Sequence, residues 1–82
     1  MEVNSIEQSI RTIIASVSNV PKDADADADL YLDLGMPSAH ALALLQELED
    51  SFGVSIPDEQ FVESTTIAKL KITLDGLLNS RV

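Results

Sequence analysis

The sequence predicts an all-α fold: a small four-helix bundle with three long helices, one short helix and a long loop between the first two. Three observations carry that expectation. Apolar residues recur at spacings of three and four in three separate stretches. Asn19 and Pro21 close the first stretch, and Gly53 and Pro57 close the second. The one alternating run, Leu30, Leu32 and Leu34, has no second run to pair with as a strand. At 82 residues the chain has room for one core, so residues 1–82 are read as a single domain.

The first helix is expected over about residues 3–18. Val3, Ile6, Ile10, Ile13, Ile14 and Val17 share its apolar face, and Asn4 or Ser5 supplies the N-cap. Residues 21–37, PKDADADADLYLDLGMP, read as a loop. Like charges at Asp23, Asp25, Asp27 and Asp29 favour extended, solvated chain, while the three leucines are expected to pin it to the core. Loops of this length in a small domain often have functional roles. Helical period resumes over 38–52, with Ser38 as N-cap. Leu42, Leu45, Leu48 and Phe52 are read as its central stripe, widened by Ala41 and Leu44, with His40, Ala43, Glu47 and Asp50 opposite. Gly53 supplies the C-terminal stop. Residues 58–63, DEQFVE, form a short helical turn offering Phe61 and Val62 to the core. Thr65 or Thr66 caps a last helix on which Ile67, Leu70, Leu74, Leu77 and Leu78 share a face, with Ile72 off it and Gly76 weakening its end.

Composition excludes whole classes of function. Fourteen Asp and Glu against five Lys and Arg leave a formal net charge of −9. Nucleic acid and anionic membrane surfaces are therefore excluded as partners, and basic protein patches become the natural complement. The same charge favours a monomer. With no cysteine and one histidine, thiolate catalysis, disulfides, Cys-ligated metal centres and clustered-histidine metal sites are all excluded. The N-terminus MEVNSIEQSI lacks the basic and apolar regions of a signal peptide, so the expected location is cytoplasmic. A non-enzymatic domain is expected.

Segment 34–57, LGMPSAHALALLQELEDSFGVSIP, narrows the reading. It resembles the acyl carrier protein family and its peptidyl and aminoacyl cousins, whose pattern is Leu-Gly-x-x-Ser opening a long amphipathic helix that ends in Phe, a short turn and Ile-Pro. Leu34, Gly35 and Ser38 match the opening. Leu42, Leu45, Leu48, Phe52, Ile56 and Pro57 match the remainder without a gap. The first helix, the acidic loop, DEQFVE and TTIAKL extend the likeness over nearly the whole chain.

The resemblance implies an acyl-carrier-like four-helix bundle that shuttles thioester-bound acyl intermediates between biosynthetic enzymes. Its cofactor would be 4′-phosphopantetheine, attached covalently at Ser38. Implied partners are a phosphopantetheinyl transferase, an acyl- or aminoacyl-loading ligase, and synthases or acyltransferases with basic docking patches. Met36, His40, Glu47, Glu49 and Asp50 would contribute the docking surface. Independently of the likeness, an anion attached at Ser38 would sit at a helix N-terminus, where free N–H groups and the dipole favour it. Pro37 stands where the family commonly has Asp, and Ala39 where it commonly has a larger apolar residue. The docking half of the helix holds His40 and Ala43 in place of acids. FGVSIP is also common in peptidyl carriers.

Rival readings attach to the same residues. An aminoacyl or peptidyl carrier is one alternative, and an unmodified carrier-like interaction module, favoured by Pro37 and Ala39, is another. Ser38 and His40 stand two apart on a helix and do not face each other, so a catalytic pair is disfavoured. Asp23, Asp25 and Asp27 fill the first three ligand positions of a calcium loop. Ala28 and Leu34 then occupy the positions that need Gly and Glu, leaving a solvated acidic loop as the expectation. Leu42, Leu44, Leu45, Leu48 and Phe52 are read as core, with a role in lining an acyl pocket as the alternative.

Overall fold

The computed structural model describes residues 4–79; the Val3 position assigned above to the first helical face lies outside them. Among the described residues there are four α-helices: α1 (Asn4–Val17), α2 (Ala41–Phe52), α3 (Asp58–Glu63) and α4 (Ile67–Asn79). A 3₁₀ turn, Ser38–His40, runs directly into α2. No strand occurs among the described residues. The expected all-α bundle of three long helices and one short helix is what the chain forms.

The core follows from helical spacing. Helix α1 buries Ile10, Ile13 and Ile14 against α2 and α4, which contribute Leu44, Leu48, Ile67, Leu70 and Leu74. Val20, Leu30, Met36 and Ile56 from the connecting segments complete it. Helix α3 packs on α4, with Phe61 half-buried at their contact. No helix among the described residues is long and apolar enough to cross a membrane.

Three apolar residues stand elsewhere than the sequence pattern placed them. Leu42 is 63% exposed, while Leu44 and Leu48 are fully buried. Leu44 and Leu48 lie one turn apart and define the inner face of α2. Leu42 lies two residues, or roughly 200°, from Leu44 and so falls outside it. Val62, one residue past Phe61 on α3, is likewise exposed, so only Phe61 reaches the core. Leu32 is exposed as well, so two leucines pin the loop instead of three. The segment that contains it is coiled into a helical turn, with Asp33 N–H donating to Asp29 O at 2.9 Å. That turn puts Leu30 and Leu34, four apart, on the inner side and Leu32 on the outer.

The long loop is tied down at several points. Leu30 N–H donates to Thr65 O at 2.8 Å, and Ala68 N–H donates to Ala26 O at 3.0 Å. The second bond satisfies one of the N–H groups that the start of α4 leaves without a helical partner. Thr66 supplies the expected cap, its Oγ1 accepting from Lys69 N–H at 3.1 Å. At the far end of α2, Gly53 adopts φ 66° and returns its N–H to Glu49 O at 2.9 Å, the stop expected of it.

Candidate functional site

The approach to Ser38 is built from the acidic loop. Asp29 acts as a local cap: its Oδ1 accepts from the N–H groups of Tyr31 and Leu32, each at 2.9 Å. Asp33 reciprocates, its Oδ2 accepting from Asp29 N–H at 2.8 Å. The bond from Leu32 N–H is the largest influence holding the Asp29 carboxyl below its usual range. Those from Tyr31 N–H and the Thr65 hydroxyl, and the charge of Lys69, act the same way against desolvation. The sequence pattern alone makes Asp29 one of four equivalent solvated charges. The signal that distinguishes it is the second acid four residues on, at Asp33.

Gly35 then reverses the chain at φ 76°, a conformation that a side chain would strain. Met36 follows with its N–H donating to Leu30 O at 2.8 Å, which draws it into the core at 2% exposure. A side chain so enclosed has no surface to offer, and Met36 is therefore removed from the docking residues. Pro37 is extended, at φ −63° and ψ 137°. Ser38 comes next, exposed, as the first residue of the 3₁₀ turn.

Ser38 does not act as the side-chain N-cap anticipated for it. Neither the 3₁₀ turn nor α2 has a side-chain cap bond, and the Ser38 hydroxyl has no hydrogen-bond partner among the described residues. The turn closes through backbone instead: His40 N–H donates to Pro37 O at 2.9 Å, and Ala41 N–H donates to Ser38 O. A serine inside the turn, one place beyond the capping position, keeps its oxygen free. No acid stands in the first turn of either helical element. An uncommitted hydroxyl at a helix start whose first turn has no acid fits an attached phosphodiester.

The other anticipated contact residues are distributed unevenly. Glu47 and Asp50 are exposed on the outer face of α2. Glu49 is half-buried and partly committed, because its Oε2 accepts from Ile56 N–H at 2.8 Å and so braces the turn after the helix. His40 is half-buried, with Nδ1 at 3.3 Å from Ser18 Oγ, just past the end of α1. No sequence signal points to Ser18: twenty-two positions separate it from His40, and no periodicity links them.

Of the residues considered for a pocket, Leu44 and Leu48 are plain core. Phe52 lines an open groove of about 290 Å³ with Ser5, Ile6, Ser9 and Leu78. Among the described residues no group of three or more His, Asp or Glu side chains is placed to hold a metal ion. The acidic loop spends part of its polarity on itself, with Asp27 N–H donating to Asp25 Oδ1 at 2.9 Å.

Comparison with known proteins adds two findings. A family profile described as a phosphopantetheine attachment site matches residues 8–74. A curated relative, an acyl carrier protein of Akkermansia muciniphila, is 35% identical over 69 residues, covering 83% of this chain and 86% of the relative.

Proposed function

The chain belongs to the phosphopantetheine-dependent acyl carrier protein family, and on that premise we propose that Ser38 is its attachment residue and that it shuttles thioester-bound acyl intermediates between biosynthetic enzymes. One observation carries the choice of residue. Inside the matched region, Ser38 presents an exposed hydroxyl with no hydrogen-bond partner among the described residues, at the opening of the turn that feeds α2.

When attached, 4′-phosphopantetheine supplies the thiol on which an acyl group is held; the chain itself has no cysteine. The work of the chain's own residues is presentation. Gly35 turns the backbone outward, the buried Met36 anchors it, and Pro37 fixes φ immediately before the serine. The N-terminal end of the helical segment favours the phosphodiester charge through its dipole. No catalytic group is assigned. In this reading the protein is a substrate platform, and its enzymes supply the chemistry.

Docking is assigned to the outer face of α2, where Glu47 and Asp50 are free to meet basic partner surfaces. The first turn of that helix has no acid and exposes Leu42. A partner must therefore meet apolar surface close to the serine in sequence and charge farther along the helix. That arrangement, together with FGVSIP, also suits an aminoacyl or peptidyl carrier. The two are separated by which ligase loads the modified protein.

The test is intact-protein mass after incubation with coenzyme A, magnesium and a broad-specificity phosphopantetheinyl transferase, beside Ser38→Ala. The expected result is a gain of one phosphopantetheinyl group that the alanine variant lacks. A gain retained in Ser38→Ala would move the attachment elsewhere. No gain in the native host would leave the unmodified interaction module as the reading.

A further inference from the structure

Ser38 stands midway between two anchors. Two residues before it, Met36 is buried and bonded through its N–H to Leu30 O. Two residues after it, His40 reaches Ser18 Oγ with Nδ1 at 3.3 Å. Ser18 is in turn held to α1, its N–H donating to Ile14 O at 2.9 Å. A 3₁₀ turn has about three residues per turn, so side chains two apart diverge by roughly 240°. The turn can therefore direct His40 toward α1 while Ser38 stays exposed. With no side-chain cap on either helical element, this ring-to-hydroxyl bond substitutes for a cap in restraining the turn.

We propose that His40 is a positioning residue for modification of Ser38, its hydrogen bond to Ser18 locking the Ser38–His40 turn onto the end of α1. The proposal rests on the assignment of Ser38 as the attachment residue. In the transfer, the Ser38 Oγ–phosphorus bond forms and the phosphorus–oxygen bond of the coenzyme A pyrophosphate breaks. Adenosine 3′,5′-bisphosphate leaves, and the hydroxyl proton passes to a base of the transferase. In-line attack needs the serine oxygen held in one place, and a fraying turn spreads it over many. His40 takes no proton in this scheme. Its bond to Ser18 is satisfied by either ring tautomer, because the Ser18 hydroxyl can donate or accept.

The experiment compares the wild type with His40→Ala, Ser18→Ala, the double variant and His40→Asn, using two readouts. The first is the rate of phosphopantetheine transfer from coenzyme A, followed by intact mass at saturating and sub-saturating carrier. The second is amide exchange of Ala41 N–H in the unmodified protein, with Leu48 N–H as an internal reference. His40→Ala and Ser18→Ala are each expected to lower kcat about two- to fivefold, the lower part of the range for one neutral hydrogen bond, with KM little changed. The double variant should be no worse than either single one. His40→Asn should recover most of the rate, because its amide occupies the place of Nδ1. Ala41 exchange should speed up in the alanine variants while Leu48 does not.

Wild-type kcat in both alanine variants, or single effects that simply multiply, would overturn the proposal. So would a change confined to KM, which would make His40 a transferase contact. A wild type that gains no mass overturns the Ser38 assignment and this proposal with it. A wild type modified at Ser38 beside equally fast variants overturns the role of His40 alone.

Discussion

The Arg11 guanidinium donates through Nη1 to the backbone carbonyl of Ala24 at 2.6 Å, and through the same nitrogen to Lys22 O at 2.7 Å. Its other edge holds Glu7, with Nε and Nη2 at 3.0 and 2.9 Å from Oε2. One side chain of α1 thus fastens the beginning of the acidic loop to the bundle. The loop would otherwise be pushed outward by its own carboxylates, and the planar fork of Arg meets the two carbonyls from Nη1 while Nε and Nη2 hold Glu7, a division a lysine's single nitrogen cannot make.

Replacing Arg11 with methionine is expected to cost about 1–3 kcal/mol, since charge-assisted hydrogen bonds to backbone are lost along with the ion pair. Arg11→Lys should recover less than half of that. Urea unfolding measures both, and a lysine variant as stable as the wild type would show that charge alone holds the loop.

The two faces of α2 give a sharper contrast. Leu44→Ala removes a fully buried side chain and is expected to destabilise by about 2–5 kcal/mol. Leu42→Ala, two residues earlier and 63% exposed, should stay within about 0.5 kcal/mol. Equal losses would place Leu42 back in the core. If Leu42 instead meets partner enzymes, its variant should slow their reactions while leaving the melting temperature unchanged.

Acid should weaken the fold through Asp29. Hydrogen bonds from Leu32 and Tyr31 lower its pKa in the folded chain relative to the unfolded one. The associated stability is therefore fully present above the ordinary carboxylate range and is lost as pH falls through the lowered folded value. The melting temperature of the wild type should fall below about pH 4. In Asp29→Asn, which keeps an acceptor oxygen but no titrating group, that part of the acid loss should be missing. Parallel acid curves for the two proteins would exclude Asp29 as a source.

Two glycines should respond in opposite directions. Gly76 lies inside α4 with open space around it, so Gly76→Ala should stabilise by about 0.5–1 kcal/mol. Gly35 also has open space, but its φ of 76° means Gly35→Ala should cost about 1–2 kcal/mol through backbone strain alone. Thermal melts of both variants decide this. A neutral Gly35→Ala would mean that the turn before Ser38 tolerates another conformation.

Much of the fold was legible because helical period is a local property. Ile10, Ile14, Leu70 and Leu74 could be assigned to the core from spacing alone, and Gly53 and Thr66 act at the ends where their chemistry put them. Spacing was less informative on α2, because Leu42, Leu44, Leu45 and Leu48 spread over an arc of roughly 160° of the helix. With so wide an apolar arc, the pattern did not say which edge would be left in water. The same limit applied to Leu32, where an alternation that reads as extended chain coils into one helical turn under the cap of Asp29.

By itself the sequence determined the helix count, the position of the long loop, the acidic character and the serine that the family likeness selects. These depend on residue type and on neighbours within a turn or two. Only the tertiary structure decided that Met36 is buried, that Glu49 braces Ile56 and that His40 meets Ser18. The last of these joins residues far apart along the chain, and all three follow from how separate segments pack on one core. No local pattern encodes such contacts, because each depends on where another part of the chain has already settled.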